Sequence, residues 1–214
     1  MLQKNTVEKT AFELLRKLMQ DSQMDQFFLV GGTSIALRLG HRKSIDLDLF
    51  TQNDISVREL NKHLSKEYGF IERYKAHNTL KGEINGVFID CIKYDYPLLK
   101  PLSTEENIRI ASFEDVIAMK LSAITDNGTR LKDFVDISFL STKYSLEAML
   151  DFYLLKYKNA NVLSVVKALS YFDDIDFIHE PVTLIVGKFN WKHIEKRLHD
   201  MIKNPQEIYT TYPI

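Results

Sequence analysis

Val30-Gly31-Gly32, a spacer of thirteen residues, then Asp46-Leu47-Asp48-Leu49-Phe50 is the stretch on which the fold reading turns. The short apolar run Phe27-Phe28-Leu29-Val30 stops at two glycines, which reads as a buried strand entering a tight turn. Thr33–Leu39 has helical character, and a basic loop, Gly40-His41-Arg42-Lys43, leads into Ile45–Phe50. That last piece alternates apolar and acidic residues, the period of a strand. Residues i and i+2 of a strand share a face, so Asp46 and Asp48 are expected on one side and Ile45, Leu47 and Leu49 on the other.

Two carboxylates on one face of a half-buried strand repel each other, and burial penalises their charge. A divalent cation relieves both costs. Magnesium suits such a site, since it takes oxygen ligands from one or two carboxylates plus substrate phosphates; manganese is the alternative. The Gly-Gly turn supplies a complementary half. Its backbone can approach a phosphate closely, and the helix that follows offers amide N–H groups to an anion. Gly31, Gly32, Thr33 and Ser34 are therefore candidate nucleotide-binding residues, joined by Arg42 of the basic loop. His41, beside the acidic strand, is a further candidate of lower rank, a plain loop histidine being the other reading.

Asp-x-Asp alone says little, as a second copy shows. Asp174-Ile175-Asp176 has no Gly-Gly turn upstream and reads as a solvated helix end. A third acid interrupts the apolar strand Phe88-Ile89-Asp90-Cys91-Ile92. Asp90 is either an edge-strand charge that discourages aggregation or a third metal ligand of a two-metal phosphoryl-type site. The second reading is favoured here, giving Asp46, Asp48 and Asp90 as candidate metal ligands.

Working outward, Thr6–Gln20 and Val57–Tyr68 show helical spacing. Two strands are expected at Ile71–Asn78 and Val87–Tyr94, joined through a turn around Lys81-Gly82. From Ser112 onward the pattern becomes helical, at Ser112–Thr125, Leu131–Thr142, Leu146–Tyr157, Val162–Phe172 and Trp191–Ile202. The layout predicts an α+β fold, with an α+β core over residues 1–110 and a helical portion over 111–214. Ser112 and Asp115 match a capping box. The helix they open places Lys120 on the same face as Val116, Ile117 and Leu121, where a lysine must snorkel to water or find an anion. In Lys132-Asp133-Phe134-Val135-Asp136 the two acids lie three apart and share a side of their helix.

Composition narrows the classes. The 214 residues carry 28 Lys+Arg against 29 Asp+Glu, a net charge of −1, with 45% hydrophobic and 27% charged residues. A real core can form, a polycationic nucleic-acid binder is excluded, and DNA is not expected as a partner. Local basic groups remain, at Arg38–Lys43 and at Lys188, Lys192, Lys196, Arg197 and Lys203, which could follow an RNA backbone or simply face solvent. The one cysteine, Cys91, permits neither an intrachain disulfide nor a Cys-based zinc site, and it is expected as an inert core thiol. No apolar run reaches the ~18–20 residues of a membrane span, and Met1–Asn5 does not open a signal peptide. The expectation is a soluble cytoplasmic protein.

Taken together, these segments resemble the AbiEii-type, MenT-like nucleotidyltransferase toxins of the polymerase-beta-like nucleotidyltransferase superfamily. The resemblance rests on Gly31-Gly32-Thr33, on His41–Phe50, on Glu114-Asp115-Val116-Ile117-Ala118-Met119-Lys120-Leu121 and on Lys132–Asp136. It implies a nucleotidyltransferase-like mixed sheet flanked by helices and transfer of an NMP from an NTP to an acceptor hydroxyl. It implies magnesium held by Asp46 and Asp48, with the triphosphate on Gly32 and Thr33 or Ser34. Lys120 and Asp133 match later motif positions required for activity, and Asp136 is a weaker match. Related toxins modify the 3′ end of tRNA, which implies a tRNA acceptor and a cognate antitoxin protein. Two alternatives stand beside this reading: a same-fold transferase acting on a protein or small-molecule hydroxyl, and a non-catalytic nucleotide-binding module.

Overall fold

Strand β1 is only two residues long, Phe28–Leu29, yet it lies inside the sheet rather than at an edge. The computed structural model describes residues 1–179 and 181–214. It divides into two compact units. The first holds Met1–Gly40, Ser44–Pro97 and Pro101–Ser112; the second holds His41–Lys43, Leu98–Lys100 and Phe113–Ile214.

In the first unit, α1 (Lys9–Gln20) precedes β1, and α2 (Gly31–Leu39) follows it directly. Then come β2 (Leu47–Thr51), α3 (Val57–Tyr68), β3 (Ile71–Ala76), β4 (Thr79–Ile84), β5 (Val87–Lys93), β6 (Ser103–Glu105) and β7 (Ile108–Ile110). They build one mixed sheet of seven strands in the order β3-β4-β5-β2-β1-β7-β6. Strand β1 runs antiparallel to β2 and parallel to β7, while β2 runs parallel to β5. Leu47, Leu49, Leu80, Ile89 and Cys91 enter the core, and their strand neighbours Asp48, Lys81 and Asp90 stay half-buried on the other face. Helix α1 buries Phe12, Leu15, Leu18 and Met19, the stripe its spacing predicts. The Arg109 guanidinium secures the approach to β1, donating to the carbonyls of Phe27, Met19 and Met24 at 2.8–2.9 Å.

Two sequence expectations are corrected here. The stretch Ile71–Tyr94 makes three strands, and Lys81-Gly82 lies in the middle of β4. The chain reverses instead at His77-Asn78 and at Asn85-Gly86, where Asn78, Asn85 and Gly86 have φ of 55°, 51° and 78°. Asn-Gly with both residues at positive φ is the favoured two-residue hairpin turn. Between Tyr94 and Ser112, where the sequence reading names no element, the chain contributes the β6–β7 hairpin, whose three-residue strands are too short to show a period.

The second unit holds α4 (Phe113–Asp126), α5 (Leu131–Leu140), α6 (Leu146–Lys156), α7 (Val162–Ala168) and α8 (Trp191–Lys203). Val116, Ile117, Leu121, Phe134, Ile137, Leu140, Met149 and Ile194 are fully buried in it. Phe134, Phe172 and Trp191 pack edge to face at 5.2–6.4 Å. Asp174 is exposed, and Asp176 sits in a turn beyond α7, where its Oδ1 accepts from the backbone N–H of Ile178 and His179. That copy of Asp-x-Asp is a surface turn rather than a helix end. Among the described residues no helix is long and apolar enough to cross a membrane.

Candidate active site

The first unit brings Gly31, Asp48 and Asp90 to one face of the sheet, with Asp46 just ahead of β2. Antiparallel pairing of Leu29 with Leu49 sets Val30 opposite Asp48, and the Val30 N–H donates to the Asp48 carbonyl at 2.9 Å. Gly31 therefore lies beside the Asp48 side chain. A Cβ on Gly31 would overlap Asp48 Oδ2, and Gly31 has φ +66°. Both facts demand glycine: the carboxylate rests where any side chain would begin, and the backbone is left-handed.

Thr33 and Ser34 are both buried. Thr33 Oγ1 donates to the Asp46 carbonyl at 2.5 Å and lies 2.8 Å from Ser44 Oγ. Ser34 Oγ donates to the Gly31 carbonyl at 2.8 Å. These hydroxyls thus fix the first turn of α2 and tie it to the backbone of Asp46. Asp46 immediately precedes β2 and is half-buried; its carboxylate takes no hydrogen bond or salt bridge from another described residue. Ile45, expected on the packed face, is 47% exposed, because the regular strand begins only at Leu47.

Parallel pairing sets Asp90 directly beside Asp48. Asp90 also faces Lys81 of β4, whose Nζ lies 2.5 Å from its Oδ2. Among the described residues no three His, Cys, Asp or Glu side chains converge as a group able to hold a metal ion. Asp90 is drawn to Lys81 rather than into a three-acid cluster. The donor types nevertheless fit magnesium: Asp46 and Asp48 offer carboxylate oxygens two residues apart, and a magnesium site needs few protein carboxylates when phosphates and water complete it.

The second unit holds a buried ionic network on α4, α5 and the basic segment 41–43. Arg42 Nε and Nη2 reach the two oxygens of Asp136 at 2.6 and 2.8 Å, a bidentate pair. His41 Nε2 lies 2.8 Å from Asp136 Oδ1, and Lys120 Nζ lies 3.0 Å from Oδ2. Lys120 also binds Asp133. Main-chain bonds from Lys43 N–H to Thr183 and from Ile185 N–H to His41, 2.8 Å each, hold the segment in place.

The electrostatics of this network follow from burial opposed by pairing. For Asp136 burial raises the proton affinity, but Arg42 and Lys120 outweigh it and hold the carboxyl well below its ordinary range. For Lys120 burial acts against the charge, and the carboxylates of Asp133 and Asp136 reverse this, raising its pKa. His41 goes the other way: burial pushes it below its ordinary value despite Asp136. A neutral His41 beside an ionised Asp136 must carry its proton on Nε2 and donate it. Its Nδ1 and Asp133 Oδ2 are buried without a hydrogen-bond partner among the described residues.

Sequence reasoning named all five members of this network but paired none of them. Arg42, read as a nucleotide ligand, spends its guanidinium on Asp136. Arg197, grouped with the exposed basic residues, is buried; it donates to Ser141 Oγ and the Thr211 carbonyl and stacks over Tyr209 at 4.0 Å. Asp115, read as half of a capping box, accepts from the Leu99 N–H at 2.9 Å and pairs with Lys156 at 2.6 Å, the Asp115 and Lys156 side chains both fully buried. Lys156 had no signal in the sequence, since it sits at a helix end where a lysine is ordinary.

A mixed seven-stranded sheet with a Gly-Gly turn after its short inner strand, followed by helices, is a nucleotidyltransferase-like α+β fold. The sequence profile of the family described as nucleotidyl transferase AbiEii toxin, type IV TA system, matches residues 13–97 and 83–206. The chain belongs to this family. Its chemistry is nucleotidyl transfer, with an NTP as donor. A similar protein, uncharacterised, from Aquifex aeolicus is 32% identical over 176 residues, covering 78% of this chain and 84% of the relative. In fold the chain is similar to JHP933 of Helicobacter pylori, with TM-score 0.55 and 20% identity, over 94% of this chain and 93% of that one. A candidate nucleotidyltransferase of H. pylori gives TM-score 0.58 at 19% identity, over 93% and 96% of the two chains.

Proposed function

We propose that the protein is a magnesium-dependent toxin of a toxin–antitoxin pair that moves an NMP from an NTP to a hydroxyl of tRNA. The observation that carries the reading is the Asp48 carboxylate seated against Gly31, with the half-buried Asp46 two residues before it. A glycine turn this close to an acid suits a triphosphate and its cation sharing one place. Asp46 and Asp48 would hold the ion, which when bound offsets charge on the triphosphate. Gly31 and Gly32 leave room for the phosphates, and Thr33 and Ser34 keep that turn rigid through their buried hydrogen bonds. Asp90, next to Asp48, would orient the acceptor hydroxyl or take its proton. From the helical unit, Lys120 and Asp133 are proposed as needed for turnover. The tRNA acceptor and an antitoxin partner are inferred from the family, and the exposed Lys188, Lys192 and Lys196 are compatible with an RNA backbone.

Purified protein is incubated with labelled NTPs, total tRNA and magnesium or manganese, in parallel with Asp48→Ala. Label entering tRNA with the wild type and not the variant is expected. Equal signals from both, or none with any NTP, would remove the proposal. Label entering a protein or small molecule instead would transfer it to another acceptor.

A further inference from the structure

Lys81, Asp90 and Asp48 form one row across three adjacent strands. Lys81 of β4 pairs in register with Asp90 of β5, and Asp90 pairs in register with Asp48 of β2. All three are half-buried, while Leu80, Gly82, Ile89, Cys91, Leu47 and Leu49 alternate onto the buried face. The Lys81 ammonium lies 2.5 Å from Asp90, with 38% of its side chain exposed. Nothing in the nucleotide-binding turn or the Asp-x-Asp pattern requires a lysine here.

We propose that Lys81 is a positioning residue acting as a tethered cation: it occupies the side of Asp90 that a second metal ion would take, and so limits the site to one divalent ion held by Asp46 and Asp48. Charge explains the arrangement. Asp46, Asp48 and Asp90 together carry three negative charges, enough to attract two divalent ions. The Lys81 ammonium offsets the charge of Asp90 and so weakens the pull on a second divalent ion. Paired carboxylates in adjacent strands also repel when no metal is bound, and Lys81 relieves that without an ion. Asp90, held by a group that cannot leave the protein, keeps one oxygen directed away from the metal and toward an acceptor. The inference rests on the metal reading of the preceding section.

The test is manganese binding to the full chain, by electron paramagnetic resonance of free Mn²⁺, without nucleotide. Wild type, Lys81→Met, Lys81→Gln, Lys81→Arg, Lys81→Met with Asp90→Asn, and Asp48→Ala are compared, with circular dichroism verifying the fold. Wild type is expected to bind one ion. Lys81→Met and Lys81→Gln are expected to bind a second ion, or the first about tenfold more tightly, the scale of removing one unit charge a few ångström from a divalent ion in watery surroundings. Adding Asp90→Asn should return binding to the wild-type level, and Lys81→Arg should match wild type throughout. Unchanged stoichiometry and affinity in both neutral variants overturn the role of Lys81, as does a gain that survives Asp90→Asn. Absence of binding in wild type, or binding unaffected by Asp48→Ala, overturns the metal reading itself and the inference with it.

Discussion

Arg42 grips both oxygens of Asp136 although the two residues are 94 positions apart, and both side chains are almost wholly buried. Two cations, Arg42 and Lys120, meet two carboxylates, Asp133 and Asp136, in this network. Removing one member of such a set strands its partners in a poor solvent for charge. Asp136→Ala is therefore expected to lower the unfolding free energy by about 3–5 kcal/mol. Urea titration monitored by circular dichroism measures it, and a loss below about 1 kcal/mol would contradict the network's structural weight.

His41 gives the network a pH dependence. Its folded-state pKa lies below the ordinary 6.5, chiefly through burial. As pH falls through 6.5 the unfolded chain takes up a proton that the folded chain refuses, so stability declines below that point until the folded pKa is reached. Urea midpoints at pH 7.5 and 5.5 are expected to show this decline in wild type. His41→Asn should flatten the contribution, and an identical slope in both proteins would show that other groups are responsible.

Gly31 is expected to tolerate no side chain. Gly31→Ala forces a Cβ into Asp48 and puts alanine at φ +66°, a backbone cost of about 1–2 kcal/mol. The carboxylate or the turn must move by a large fraction of an ångström, and displacement on that scale costs about 10²-fold in rate. Single-turnover transfer of labelled nucleotide, with the fold verified by circular dichroism, tests this. Wild-type turnover in the variant would show that Asp48 need not rest on the turn.

Lys156 and Asp115 form a second buried pair, in which Lys156 lies outside the residues named from motifs. Lys156→Met alone leaves Asp115 charged and buried, with an expected loss of about 3–5 kcal/mol, whereas Lys156→Met with Asp115→Leu should recover much of it. A double-mutant cycle in urea reads the coupling directly. Additive losses would mean the pair is not coupled.

Cys91 should be silent. Burial pushes its thiol far above the usual range, with a smaller contribution from Asp90. A thiol reagent such as Ellman's is expected to react with the folded protein no faster than unfolding allows and at once in denaturant. Fast reaction of the native chain would place the thiol at the surface.

The helices were legible because each buries one face: the stripe of α1 and the full extent of α3 follow from spacing alone. The strand–turn–helix–strand unit around Gly31 and Asp48 was legible for the same reason, since burial forces alternation onto β2. Short elements escaped. The two-residue β1 was found only because Gly31-Gly32 marks its end, and β6 and β7 were missed because three residues show no period. Lys81-Gly82 misled because glycine usually signals a turn, whereas Asn85-Gly86 performed that task.

By itself, the sequence determined the main helices, the strand–turn–helix–strand unit that carries Asp46 and Asp48, and the family to which the chain belongs, because local periodicity and motif spacing are properties of neighbouring residues. Only the tertiary structure decided which charge answers which: Arg42 and Lys120 to Asp136, Lys156 to Asp115, Lys81 to Asp90. Those pairs join residues far apart or on different strands, and a buried charge is stable only with a partner at hydrogen-bond distance. Strand register and helix packing set that distance, and neither is written in the spacing of residues along the chain.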